Sequence, residues 1–96
     1  MSTADHSEVS RRDFLYIATG AVGLNLEDSA SSSELFPRDL AVARVAAVRR
    51  AAEATGIPIV LNARVDALVR GGSRDEAIDR ANAYLEAGAD VIFMLG

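Results

Sequence analysis

From residue 21 onward, apolar and polar positions alternate between two rhythms. Ala21-Val22-Gly23-Leu24-Asn25-Leu26 is apolar with one polar break and ends in Glu27-Asp28. Ile57-Pro58-Ile59-Val60-Leu61 is short and rich in β-branched residues, and it ends in Asn62-Ala63-Arg64-Val65-Asp66. Residues 90–96, Asp-Val-Ile-Phe-Met-Leu-Gly, make a third apolar run. Between them the period lengthens to that of a helix. Ala41, Val45, Val48 and Ala52 share one face of a segment that starts near Pro37 and ends near Thr55. Pro37 suits the first turn, where a missing N–H costs nothing, and Gly56 suits the stop. Ser73-Arg74-Asp75-Glu76 is a capping box that opens a second helix. Ile78, Ala81 and Leu85 are its expected apolar stripe, and Gly88 ends it.

The predicted order is strand, helix, strand, helix, strand. Continuous apolar strands indicate a parallel sheet buried on both faces, and the helices supply the crossovers such a sheet requires. The strands start near 21, 58 and 90, close to the roughly 30-residue unit of a (β/α)8 barrel of about 250 residues. The fold class is α/β with three parallel strands, either part of a TIM-type (β/α)8 barrel or a small doubly wound sheet, and spacing alone does not decide between them. Residues 1–20 read as a separate leader that packs loosely, as a short helix, or as a disordered tail, before a domain at 21–96.

Composition narrows the chemistry. The chain has 96 residues and a net charge of −4, which disfavours a nucleic-acid surface. All ten basic residues are Arg, so lysine Schiff-base and general-base chemistry are excluded. There is no Cys, and therefore no thiolate nucleophile or disulfide. The single His6 lies in the polar first nine residues and reads as a solvated side chain. No apolar run reaches the roughly 20 residues needed to cross a bilayer.

The polar groups worth weighing stand at strand ends. The first strand delivers Glu27 and Asp28, the second Arg64 and Asp66. In parallel α/β folds, ligands bind beyond the C-terminal strand ends. Carboxylates there suit Mg²⁺, often through its retained waters. Arginine suits a carboxylate or phosphonate. The bland reading is that Asp28 and Asp66 serve as caps or loop residues. Arg44, Arg49 and Arg50 read most simply as a solvated helix face, and Asn25 and Asn62 are weaker candidates.

Three blocks carry a resemblance: residues 22–29 (VGLNLEDS), 62–67 (NARVDA) and 80–93 (RANAYLEAGADVIF). Together they resemble the isocitrate lyase/phosphoenolpyruvate mutase family over about residues 21–96. The resemblance implies a Mg²⁺-dependent barrel, cytoplasmic, that makes or breaks C–C or C–P bonds in small 2-oxo acids and related carboxylates, as a lyase or an isomerase. It implies that Glu27 serves the metal through water, with Asp28 a weaker metal candidate. Arg64 is then the catalytic group that grips the substrate carboxylate, with Asn62 beside it in substrate binding. The family's Asp-x-Asp metal motif has no counterpart in the chain, so a fragment inactive by itself is expected. The loop at 29–37 also lacks the Lys-Lys-Cys-Gly-His-type segment of the lyase branch, which argues against isocitrate or methylisocitrate cleavage. Exposed sheet edges invite self-association. Residues 10–21 (SRRDFLYIATGA) are similar to the twin-arginine leader of bacterial Rieske iron–sulfur subunits, which implies an alternative: an exported, non-enzymatic chain. The Cys and His cluster ligands of those proteins are absent.

Overall fold

The computed structural model describes residues 14–18 and 21–96, with side chains from residue 22 onward. It contains β1 (Phe14–Ala18), β2 (Ala21–Glu27), α1 (Arg38–Ala54), β3 (Ile59–Val65), α2 (Arg74–Ala87) and β4 (Val91–Met94). The sheet order is β1-β2-β3-β4. The three expected strands are present, and β2, β3 and β4 run parallel. Phe14–Ala18, expected as a helical leader, is instead a strand that pairs antiparallel with β2. Its FLYIA sequence is aromatic and branched, and the free edge of β2 offers a ladder of backbone partners that a helix would leave unused. His6, Arg11 and Arg12 lie outside the described residues.

Both helices lie on one side of the sheet. They pack against each other and against β3. Leu26, Leu61, Ala63 and Val65 point toward them and join Ala41, Val45, Val48, Ala77, Ala83 and Tyr84 in one cluster. Strand alternation sends Val60, Asn62 and Arg64 to the opposite face. There Val60, Val91 and Phe93 are 39%, 46% and 49% exposed. The expectation of burial on both faces is thus met on one face only. A doubly wound sheet carries helices on both sides. A one-sided helical layer is the arrangement of a barrel wall, with the bare face as the barrel interior.

Of the stripe expected on α2, Ala81 packs against the core, but Ile78 and Leu85 are exposed, whereas Ala77, Arg80, Ala83 and Tyr84 are buried. Alanines at 77 and 83 let the helix approach the sheet closely, and Arg80 and Tyr84 have buried partners on it that Ile78 and Leu85 could not satisfy. The N-cap half of the capping box holds, with Ser73 Oγ accepting from the Glu76 N–H at 3.0 Å, while a Glu76 carboxylate oxygen lies 3.4 Å from Arg80 Nε. Gly88 ends the helix at φ +126°, and a Cβ there would sit 2.7 Å from Arg49 Cγ. Arg49 passes through that space to donate to the Gly88 carbonyl at 2.8 Å and to pair with Asp90. Arg49 is therefore a tie between α1 and the start of β4, not a solvated side chain.

Leu61 is fully buried in the centre of this layer. Leu61→Ala should cost about 2–5 kcal/mol, measured by urea unfolding. A loss below about 1 kcal/mol would contradict the packing described.

Candidate functional site

β2 and β3 end side by side, with Glu27 opposite Arg64 in the ladder. An Arg64 Nη2–Glu27 Oε1 ion pair of 3.4 Å joins them. Arg64 also folds back two residues along its own chain. Its Nε donates to Asp66 Oδ1 at 2.7 Å and its Nη2 to Oδ2 at 2.9 Å. This two-pronged geometry is the strongest form of arginine–carboxylate contact. The Arg64 side chain remains 31% exposed, while that of Asp66 is wholly buried. Ser29 Oγ donates to Asp66 Oδ2 at 2.5 Å, and Arg70 Nε donates to Ser29 Oγ at 3.2 Å. Burial would push the Asp66 carboxyl up, but the Arg64 and Ser29 hydrogen bonds outweigh it and hold the group below the usual carboxylate range. The same contact holds Arg64 above its ordinary value.

Asp28 does not face the rim. It is 3% exposed, and both of its oxygens take protein donors. Oδ1 accepts from the Asp66 N–H at 2.8 Å. Oδ2 accepts from the Tyr84 hydroxyl at 2.5 Å. Arg80 Nη1 donates to Tyr84 Oη at 3.2 Å and lies 3.5 Å from Asp28 Oδ2. Burial raises the Tyr84 phenol, and the Asp28 contact raises it further, so the hydroxyl stays a donor at any physiological pH. The C-terminal end of β2 is also held from α1. Arg44, 3% exposed, stacks over the Phe36 ring at 4.1 Å and donates to the Glu27 carbonyl at 2.9 Å. It too departs from the solvated face expected of it; of the three arginines, only Arg50 is exposed.

Asn62 lies on the bare face two residues before Arg64, about 6–7 Å down the strand. Its Nδ2 donates to Asn25 Oδ1 at 3.1 Å, and its own Oδ1 is buried with no hydrogen-bond partner among the described residues. Glu27, Arg64 and Asn62 therefore share the barrel-interior face. Asp28 and Asp66 form the layer beneath it. The sequence reading missed Arg80 and Tyr84. The signal available for them was their i, i+4 spacing on the face of Ala77, inside the third of the quoted blocks.

The residues do not make a magnesium site by themselves. Among the described residues, no group of three His, Cys, Asp or Glu side chains could hold a metal ion. Asp28 is spent on Tyr84 and the Asp66 N–H, and Glu27 is paired with Arg64. What the site offers is a fixed, partly exposed guanidinium at the C-terminal rim of parallel strands.

That rim closes the C-terminal end of a one-sided layer of parallel strands, the arrangement of a barrel wall. The model of the phosphoenolpyruvate phosphomutase family matches residues 4–96, and the chain belongs to that family. The match runs through residues 10–21, so the resemblance of that stretch to a Rieske twin-arginine leader finds no support. The chain is 40% identical over 83 residues to 2-methylisocitrate lyase of Escherichia coli (strain K12), covering 80% of this chain and 28% of that protein. It resembles the crystal structure of 2,3-dimethylmalate lyase, a PEP mutase/isocitrate lyase superfamily member, at TM-score 0.72 and 35% identity, over 80% of this chain and 27% of that one. A protein of Burkholderia cenocepacia J2315 classed as a phosphonomutase matches at TM-score 0.66 and 42% identity, over 78% and 33% of the two chains. The 96 residues thus span about a third or less of these relatives. No helix among the described residues is long and apolar enough to cross a membrane.

Two outcomes follow from this site. Mg²⁺ added to the chain should bind on the order of millimolar or weaker, given so few carboxylate ligands; a micromolar affinity by calorimetry would contradict the site described. The depressed Asp66 pKa sets a sign for acid stability. Its contribution is full above the unfolded carboxylate value of about 3.9 and is lost as pH falls through the lower folded value. Asp66→Asn should flatten the stability–pH curve below about pH 4, as read by urea midpoints.

Proposed function

We propose that this chain supplies the carboxylate-binding end of a site for C–C or C–P bond chemistry on small 2-oxo acids and related carboxylates. The observation that carries the reading is the Arg64 guanidinium, locked by Asp66 yet partly open to the barrel face. Nε and Nη2 are engaged by Asp66, and Nη1 makes no hydrogen bond among the described residues. Enolate-like intermediates in such reactions develop negative charge on an oxygen next to the carboxylate. A permanent cation that is already oriented stabilises that charge without reorganising. Asn62, lower on the same face, would contact the far end of the substrate. Glu27 flanks the guanidinium and would order water beside the substrate. Magnesium, which the family resemblance implies, would have Glu27 only as an outer acceptor here. Among the described residues, no group of acidic or imidazole side chains encloses a cation. The Ser-rich loop at 29–37, without Cys or Lys, favours mutase-like or hydrolase-like chemistry over methylisocitrate cleavage. The compartment on this reading is the cytoplasm.

Oxalate, a planar mimic of an enolate next to a carboxylate, is the probe. The chain should bind it, with chemical-shift changes centred on residues 62–66. Arg64→Gln should weaken binding at least tenfold, and Arg64→Lys should recover little because the planar fork is lost. Unchanged affinity in Arg64→Gln would remove Arg64 from the site.

A second reading concerns assembly, and it is favoured by the uncovered apolar residues Val60, Val91 and Phe93 beside the outer edge of β4. The occupant proposed is a second copy of the chain, because two four-stranded sheets carry the eight strands of a small closed barrel. Sedimentation should show a concentration-dependent dimer that Phe93→Asp dissociates. A monomer at all concentrations would exclude it.

A further inference from the structure

We infer that Tyr84 is a positioning residue for Arg64, acting through Asp28 and Asp66; the inference rests on the reading of Arg64 given above. Four contacts form one line from α2 to the rim. The Tyr84 hydroxyl donates to Asp28 Oδ2 at 2.5 Å. Asp28 Oδ1 accepts the Asp66 N–H at 2.8 Å. The two Asp66 oxygens then grip Arg64 Nε and Nη2 at 2.7 and 2.9 Å. Tyr84 itself is 1% exposed and cannot touch a ligand.

The line matters because of where Asp66 sits. It is the first residue past the end of β3, just beyond the ladder that fixes Val65. Its N–H has no strand partner to take it. The Asp28 carboxylate fills that place. It extends the order of the sheet by one residue, and that residue holds the guanidinium. A carboxylate buried to 3% needs its own donors to stay in one rotamer. Tyr84 is the direct donor on its second oxygen, and Arg80 steadies the phenol from the other side at 3.2 Å. Without the hydroxyl, Asp28 is drawn toward Arg80, the Asp66 N–H loses its acceptor, and Arg64 gains freedom to swing on the rim. A tyrosine that served only to pack α2 would need its ring, and phenylalanine would replace it at no cost to Arg64.

The test uses the full 96-residue chain, labelled with ¹⁵N. The Arg64 Nε–H resonance and its exchange with solvent report the guanidinium directly, and oxalate titration reports the site. In Tyr84→Phe, Arg64 Nε–H exchange should accelerate at least tenfold and oxalate affinity should fall about tenfold. Glu76→Gln, which touches only Arg80 on this line, should change neither. A second protein carries 3-fluorotyrosine at 84 in a Tyr16→Phe background. It keeps the hydroxyl, strengthens it as a donor, and guards against a Tyr84→Phe chain that fails to fold. There the Arg64 Nε–H resonance should shift. If exchange and affinity stay at wild-type values in folded Tyr84→Phe, the inference is overturned. An unshifted Arg64 resonance in the fluorotyrosine protein overturns it equally. If the wild-type chain fails to bind oxalate while Arg64 exchange still responds to Tyr84, the carboxylate reading falls and the positioning role stands.

Discussion

The buried carboxylate of Asp28 is the contact on which the rest of the structure depends. A charge taken out of water in this way is costly unless donors surround it. The chain supplies them from two other elements: the Asp66 N–H beyond β3, and Tyr84 with Arg80 on α2. Three elements distant in sequence are thereby fixed at one point. Removing a single donor would leave the full desolvation cost of a lone pair, about 1–3 kcal/mol or more for a charged group. The donors around Asp28 therefore act together, while the buried Arg80 Nε has no hydrogen-bond partner among the described residues.

That constraint explains the orientation of α2. Hydrophobic periodicity alone would turn Ile78 and Leu85 inward. The helix instead buries Ala77, Arg80, Ala83 and Tyr84 and leaves Ile78 and Leu85 49% and 44% exposed. Burying those two apolar side chains would be worth about 1.5–3 kcal/mol each. Because both are already about half buried, only about half of that is at stake, roughly 1.5–3 kcal/mol for the two together, against about 3–5 kcal/mol for leaving a buried charge without its partner. Arg44 and Arg49 follow the same logic. Their long stems lie along the core while their heads reach the Glu27 and Gly88 carbonyls.

The site depends on this foundation in an asymmetric way. Glu27 and Arg64 are set directly by the ladder, since they are register partners at the strand ends. Asp66 lies outside the ladder and is placed by Asp28 and Ser29. The charges at the rim and in the layer beneath it come close to cancelling: Glu27, Asp28 and Asp66 stand among Arg64, Arg70 and Arg80. On the proposed reading, such a balanced site would hold an anion through the orientation of Arg64 rather than through bulk positive potential.

The sequence by itself determined the parallel βαβαβ order, the helix boundaries and the neighbourhood of Glu27 and Arg64, because these follow from local periodicity, capping and strand ends. It also carried the family, through blocks that need no geometry to be seen. Phe14–Ala18 was not legible as a strand, because its conformation is set by the free edge of β2 beside it. The choice between barrel wall and doubly wound sheet was not legible either, since spacing is the same for both and only the side on which the helices pack separates them. The roles of Asp28, Arg44, Arg80 and Tyr84 belonged to the tertiary structure alone. Each is a polar residue whose sequence context suits a cap or a solvated face. What overrides that context is a partner 17 to 56 residues away, brought close only when the layers pack.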